Sequence, residues 1–238
     1  CMISTLFNEA LYRPLLNALV FLYNTAAFAD LGIAIILLTI LIRLILFPLF
    51  YKGAKDQAII QRLAPKIKEI QKNHKEDKQK QATAMMELYK QHKVNPLSGF
   101  LLLLIQLPIL IALYWVFLKG LSEQSFNILY SFVSRPDTLD HYFLGLIDLS
   151  AKNIIVVVAA ALVQYFQGKL SLPKNNKPTK DLSPAERIGR QMVFIGPVLT
   201  LVILYNLPSA VGLYWLTTSL FSVIQQIIIN KRIMKREL

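Results

Sequence analysis

Arg43 lies inside an apolar run, Leu31 to Phe50, that is long enough to cross a bilayer. If that run is one span, its midpoint falls near Leu41. At about 1.5 Å of rise per residue, Arg43 is then only about 3 Å from the midpoint. A guanidinium at that depth costs roughly 2.5–3.5 kcal/mol on insertion scales, so an intramembrane Arg marks a functional site by default. No counter-ion is at hand: the apolar runs contain no Asp or Glu, and Asp30 and Asp148 stand only at their outer edges. Neutral polar groups are available instead. Thr39 is four residues before Arg43 and shares its helix face. Gln106, Gln164 and Gln167 lie in later runs. In the last run Tyr214, Thr218, Ser222 and Gln225 or Gln226 form a stripe at helical spacing. Two arrangements fit. These groups could be packing glue between helices, with Arg43 bonded to backbone carbonyls or snorkelling. Alternatively they line a water-filled cavity around an unpaired positive charge. A whole stripe facing an uncompensated Arg favours the cavity.

The composition agrees with a membrane setting. The 238 residues are 55% hydrophobic and only 17% charged, against about 25% charged in soluble domains. The net charge of +12 could suggest nucleic acid, but most of it is bunched in loops between apolar runs. A single cysteine, Cys1, excludes an internal disulfide framework. His74, His92 and His141 lie apart in polar loops, and no phosphate-cradling glycine loop is present. No metal, nucleotide or other cofactor is expected, and no residue is a candidate for covalent catalysis.

The elements that must position Arg43 follow from hydropathy. Five apolar runs are predicted as transmembrane helices, at 31–50, 97–118, 151–167, 191–206 and 209–229. The third and fourth are short. Either they thin the bilayer locally, or polar flanks such as Asn153, Gln164 and Gln167 extend the helices. Segment 51–96 carries eleven Lys and Arg, 168–190 six and the tail 230–238 four, whereas 119–150 carries Lys119 and Arg135 alone. Five alternating spans put the three basic regions on one side, which the positive-inside rule makes cytoplasmic. The N-terminus is then outside and the C-terminus inside. Residues 1–30 are predicted to be extracytoplasmic and to hold an amphipathic helix in the outer interface.

Segment 51–96 repeats apolar residues at helical spacing, first Ala58, Ile59, Leu63, Ile67 and Ile70, then Ala82, Met85, Met86, Leu88 and Tyr89. A polar turn near Asn73 to Asp77 separates them, so a helical hairpin is predicted. Its lysines, among them Lys66, Lys68, Lys72, Lys78 and Lys80, make either a solvated face or a basic docking arm for an acidic partner.

Several ordered motifs resemble the YidC/Oxa/Alb membrane insertases. The run Thr39-Ile40-Leu41-Ile42-Arg43-Leu44-Ile45-Leu46-Phe47-Pro48-Leu49 is similar to their first core span. Leu63-Ala64-Pro65-Lys66-Ile67 and Asp77-Lys78-Gln79-Lys80 resemble their hairpin, and Met85-Met86-Glu87-Leu88-Tyr89-Lys90 with Val94-Asn95-Pro96-Leu97 its exit. Gln106-Leu107-Pro108-Ile109 and Leu207-Pro208-Ser209-Ala210-Val211-Gly212-Leu213-Tyr214-Trp215 match as well. The resemblance runs from about residue 11 to 232.

It implies an all-α membrane protein: five transmembrane helices around a hydrophilic groove, a cytoplasmic helical hairpin and an N-terminal interfacial helix. The groove would open to the cytoplasm and to lipid and be closed outside. The implied activity is insertion and folding of new membrane proteins, alone or beside the Sec translocon, without nucleotide hydrolysis. Arg43 matches the groove arginine, and Thr39, Trp215 and neighbouring Tyr214 match positions implicated in substrate contact. Implied partners are nascent membrane proteins and lipids, with the ribosome and the signal recognition particle pathway as further candidates, and a monomer suffices. The implied location is the bacterial inner membrane. Nothing in the chain matches the large periplasmic domain of Gram-negative members, and short bacterial members often begin with a lipidated cysteine, so Cys1 is a candidate lipidation site. A competing class, a small anion channel or transporter with Arg43 as its anion site, predicts internal repeats, and none is visible. A purely structural assembly chaperone is the third alternative.

Overall fold

The computed structural model describes residues 2–120, 122–136, 138–172 and 184–234. Cys1, residues 173–183 of the 168–190 connection and the end of the basic tail lie outside them. The fold is mostly helical. Helix α1 (Met2–Phe7) runs through a wide turn at Asn8–Tyr12 into α2 (Arg13–Thr25), followed by α3 (Leu31–Ile45) and α4 (Phe47–Arg62). Next come α5 (Ala64–Asn73), α6 (Lys78–Gln91), α7 (Ser98–Trp115), α8 (Ile154–Ser171), α9 (Pro184–Leu204) and α10 (Ser209–Met234). A two-stranded antiparallel ribbon, β1 (Tyr142–Phe143) and β2 (Ile147–Asp148), pairs Tyr142 with Asp148.

The run expected as one span at 31–50 is broken. Helices α3 and α4 meet at Leu46 with a bend of 69°. Pro48, in the first turn of α4, explains it. Proline has no N–H to give to the carbonyl four residues back, and its ring collides with that carbonyl, so the helix restarts. Arg43 therefore sits two residues before the end of α3, at the bend, and not at the centre of a straight rod.

Among the described residues, α7, α8 and α10 are long and apolar enough to cross a membrane, and the bent α3–α4 pair makes a fourth span if counted as one. Helix α8 is longer than the apolar run at 151–167 suggested. Asn153 caps it by accepting from the Ile155 and Val156 N–H groups, and it continues through Gln164 and Gln167 to Ser171. Its 18 residues span about 27 Å. The apolar part of α9, Arg190–Leu204, is shorter.

The dry core occupies one end of the molecule. Leu16, Leu19 and Val20 of α2 pack with Leu31, Ile35 and Leu38 of α3, Leu113 of α7 and Val116 just after it, Val157 and Ala160 of α8, and Val211 of α10. Polar groups sew the 122–150 connection onto this end. Asn17 Oδ1 accepts from Tyr130 N at 2.6 Å, and Asn24 Nδ2 donates to Ser134 O at 2.7 Å. Asp30 caps α3 by accepting from Ile33 N at 2.8 Å, while its other oxygen accepts from Leu144 N at 2.6 Å. A Cβ on Gly32 would fall 2.2 Å from the Phe143 ring, so only glycine lets the ribbon lie against α3 here.

The hairpin has its own small core. Leu63, Ile67, Leu88 and Val94 are buried, with Ile59, Ile70, Met85 and Tyr89 against them. Ala82 and Met86, expected in the stripe, face outward. Asp77 accepts from the Gln79 and Lys80 N–H groups and caps α6. At the base, buried Asp56 accepts from Ser98 Oγ at 2.6 Å and ties α4 to the start of α7.

Candidate functional site

A cavity of about 360 Å³ opens at the end of the molecule away from the dry core. Five helices line it: α3 through Arg43, α4 through Phe50, Ala54 and Gln57, and α7 through Gly99, Leu102 and Gln106. Helix α8 adds Gln164, Gln167 and Ser171, and α10 adds Trp215, Thr218, Ser219, Ser222, Gln225 and Gln226. The volume has room for several waters at about 30 Å³ each, and the walls carry enough donors and acceptors to hold them.

Arg43 is only 7% exposed. The ion pairs among the described residues join Arg13 to Glu9 and Lys80 to Asp77, so Arg43 takes part in none of them. Its guanidinium lies over the Phe50 ring, 4.4 Å from the centroid. The bend brings this about, because Phe50 lies beyond the break on α4. A desolvated cation–π contact is worth about 2 kcal/mol, which offsets much but not all of the insertion cost.

Gln164 joins three helices. Its Oε1 accepts from the hydroxyl of Thr200 on α9 and from Trp215 Nε1 on α10, the latter at 3.0 Å. Gln106 Nε2 donates to the Tyr214 hydroxyl, linking α7 to α10. Ser222 Oγ donates to Thr218 O within α10 at 2.9 Å.

Six of the predicted site residues thus share one cavity: Arg43, Gln106, Gln164, Trp215, Thr218 and Ser222. Tyr214 is 2% exposed and stands behind Gln106 instead of in the wall. Thr39, 1% exposed, turns its hydroxyl back to Ile35 O at 2.6 Å and does not line the cavity. Phe50, Gln57, Thr200 and Ser219 were missed. Ser219 follows Thr218 and could have been read from the stripe. The others depend on the bend or on α9, which periodicity alone does not orient.

The hairpin lysines Lys66, Lys68, Lys72, Lys78 and Lys80 are all exposed, away from this cavity. Lys80 Nζ pairs with Asp77 at 3.3 Å.

The profile of the 60Kd inner membrane protein family matches residues 21–236. The chain is 35% identical over 224 residues to the membrane protein insertase YidC of Fusobacterium nucleatum, covering 93% of this chain and 98% of that one. It is 36% identical over 200 residues to the protein of the same name from Francisella tularensis subsp. novicida, covering 84% of this chain but only 32% of that longer relative. Among solved structures, a crystal structure described as an active YidC insertase with the first transmembrane domain resolved superposes with a TM-score of 0.61 at 26% identity. That match covers 92% of this chain and 45% of the other.

Proposed function

The chain belongs to the 60Kd inner membrane protein family, the family of the YidC membrane protein insertases, and on that premise we propose that its polar cavity receives the hydrophilic part of a membrane protein on its way into the bilayer. The protein is an integral inner-membrane protein. In our reading it crosses the membrane five times, with the bent α3–α4 pair as the first span and the apolar part of α9 as the fourth. The N-terminus is outside, and the hairpin and C-terminus are cytoplasmic. Helix α2 lies in the outer interface, with exposed Phe21 turned to lipid. The dry core then seals the outer end, and the cavity forms a groove open towards the cytoplasm.

The observation that carries this reading is Arg43: a buried guanidinium, outside the ion pairs of the described residues, in a wall that is otherwise uncharged and rich in glutamine and serine. In a narrow wet space walled by low-dielectric protein and lipid, a fixed positive charge attracts an acidic flank and lowers the cost of dehydrating it halfway across. The incoming segment docks near the basic hairpin, its flank enters beside Arg43, and its apolar part leaves into lipid along α8 and α10. Position and charge act here, with no covalent step. Clients are nascent membrane proteins, delivered with or without the Sec translocon, the ribosome and the signal recognition particle, and one copy of the chain suffices.

The test is insertion of a small client with an acidic translocated tail into liposomes holding the purified protein. Arg43→Ala is expected to lower insertion at least tenfold, and Arg43→Lys to retain most of it because the charge remains. Wild-type insertion by Arg43→Ala would remove the charge from the mechanism.

A further inference from the structure

A second cavity of about 460 Å³ adjoins the first, between α4, α8 and α9. The two share Gln57, Gln164, Gln167 and Ser171 in their walls, so they lie side by side as two branches of the site. Their chemistry differs. The first branch holds Arg43, whereas no charged side chain lines the second among the described residues. Its polar wall is largely glutamine. Gln57 and Gln61 are one turn apart on α4, and Gln164 and Gln167 one turn apart on α8, so each pair shares a helix face.

The α9 wall lacks one main-chain donor. Pro197 lies inside that helix and has no N–H to give to the Val193 carbonyl one turn earlier. Both residues line the second branch, and Val193 is buried at 7% exposure. A carbonyl without its usual helical donor invites one from elsewhere. Opposite it, Gln164 has its Oε1 engaged by Thr200 and Trp215, so its free polar atom is the Nε2 donor. That nitrogen is 3.2 Å from where a Cβ on Gly196 would stand.

Neutral donors and acceptors without a charge do not select an anion, a cation or an acidic side chain. They match a group that carries one donor and one acceptor in alternation, which is the peptide unit; a glutamine amide is close to its copy. An extended chain inside a membrane has every N–H and C=O unpaired, and each costs several kcal/mol in hydrocarbon. We propose that the second branch is a subsite for uncharged, extended polypeptide main chain, holding the stretch of client next to the flank that Arg43 attracts. The proposal rests on the insertase reading of the first branch. Because it recognises backbone and not side chains, such a subsite serves clients of unrelated sequence.

Crosslinking separates the two readings. Met192 lines only the second branch and Ser222 only the first. In a Cys1→Ser background, Met192→Cys and Ser222→Cys are each oxidised against a stalled client. That client carries one cysteine, either in an uncharged stretch or in its acidic flank. Met192→Cys is expected to capture the uncharged stretch and Ser222→Cys the flank. Gln61→Leu, which alters the second branch alone, should lower the Met192→Cys yield at least threefold and leave the Ser222→Cys yield within twofold. Capture at Ser222→Cys with none at Met192→Cys overturns the subsite but leaves the groove reading intact. Capture at neither overturns both. As a second readout, an uncharged synthetic peptide competes for capture at Met192→Cys against a copy N-methylated at alternate residues. At least tenfold weaker competition by the methylated copy is expected. Equal competition overturns backbone recognition and points to side chains or lipid.

Discussion

At the scale of single residues, Gln164 is the junction on which the cavity wall depends. One side-chain oxygen satisfies both the Thr200 hydroxyl and the Trp215 indole. Gln164→Leu keeps the approximate shape and leaves both donors without an acceptor, in a region where Thr200 is 3% exposed. An orphaned buried donor costs about 1–3 kcal/mol, so this variant is expected to lower the midpoint of thermal unfolding in detergent. An unchanged midpoint would mean that water replaces the lost acceptor. Arg43 shows the opposite arrangement. Its charge is kept in place by stacking on Phe50 without a carboxylate partner, so it remains available to an incoming acid. The missing counter-ion was legible in the sequence, because the absence of Asp and Glu from the apolar runs is a matter of counting. Phe50 as its neighbour was not, because seven residues along an unbroken helix would not have brought that ring over the guanidinium.

At the scale of elements, the hairpin is anchored at its base and capped at its tip. Asp56 accepts from Ser98 across 42 residues of chain. Just before it, a Cβ on Gly53 would come within 2.5 Å of Leu102, so α4 and α7 are in close contact there. Ser98→Ala removes a hydrogen bond to a carboxylate, worth about 1.5–3 kcal/mol, and is expected to speed hydrogen exchange in the first turn of α7 and at Asn95. Exchange unchanged at those amides would show that the anchor lies elsewhere. At the tip, the Lys80 N–H, foremost, holds the Asp77 carboxyl below the usual carboxylate range. A group whose folded-state pKa is depressed contributes stability above its unfolded value, near 3.9, and loses it as pH falls through the folded value. The first turn of α6 is therefore expected to fray on acidification below about pH 4. Asp77→Asn should keep the cap and lose that pH dependence. Hydrogen exchange at Lys80 across about pH 3–6, corrected for intrinsic rates, reads both. The hairpin was legible because two stripes at helical spacing flank a polar turn. Its outward residues Ala82 and Met86 were not, since the rotation of α6 about its axis is set by which side chains meet α5, here Met85, Leu88 and Tyr89.

For the whole molecule, the division into a dry end and a wet end decides what each can do. The core at the α2 and ribbon end has apolar side chains from six helices, and the helices that line the cavity carry glutamine, serine and threonine towards the other end. Closing the dry end depends on the ribbon reaching α3 at Gly32. Gly32→Leu would drive a side chain into the Phe143 ring, and overpacking of this kind typically costs about 1–3 kcal/mol. Lower stability in detergent is expected, together with faster exchange in the 142–148 ribbon. A variant as stable as the wild type would show that the ribbon can be displaced freely. Amides around Leu19 of α2 and around Ala34 and Ile35 of α3 should exchange last, because they lie in the densest apolar packing.

The sequence by itself determined the membrane class, the apolar runs, the grouping of basic charge between them, the unpaired Arg43 and, through ordered motifs, the family. All of these are local or additive properties: hydropathy over about twenty residues, charge counted per loop, and residue types at short spacing. The tertiary structure alone decided which polar groups meet. Gln106 finds Tyr214 across 108 residues, Trp215 and Gln164 meet across 51, and Thr200 and Gln164 across 36. It also broke the first apolar run at Leu46 and so put Phe50 and Gln57 into the cavity wall. The reason is directional. A side chain's partners depend on the rotation and tilt of whole helices, and these are set by packing at the far dry end and by a single proline.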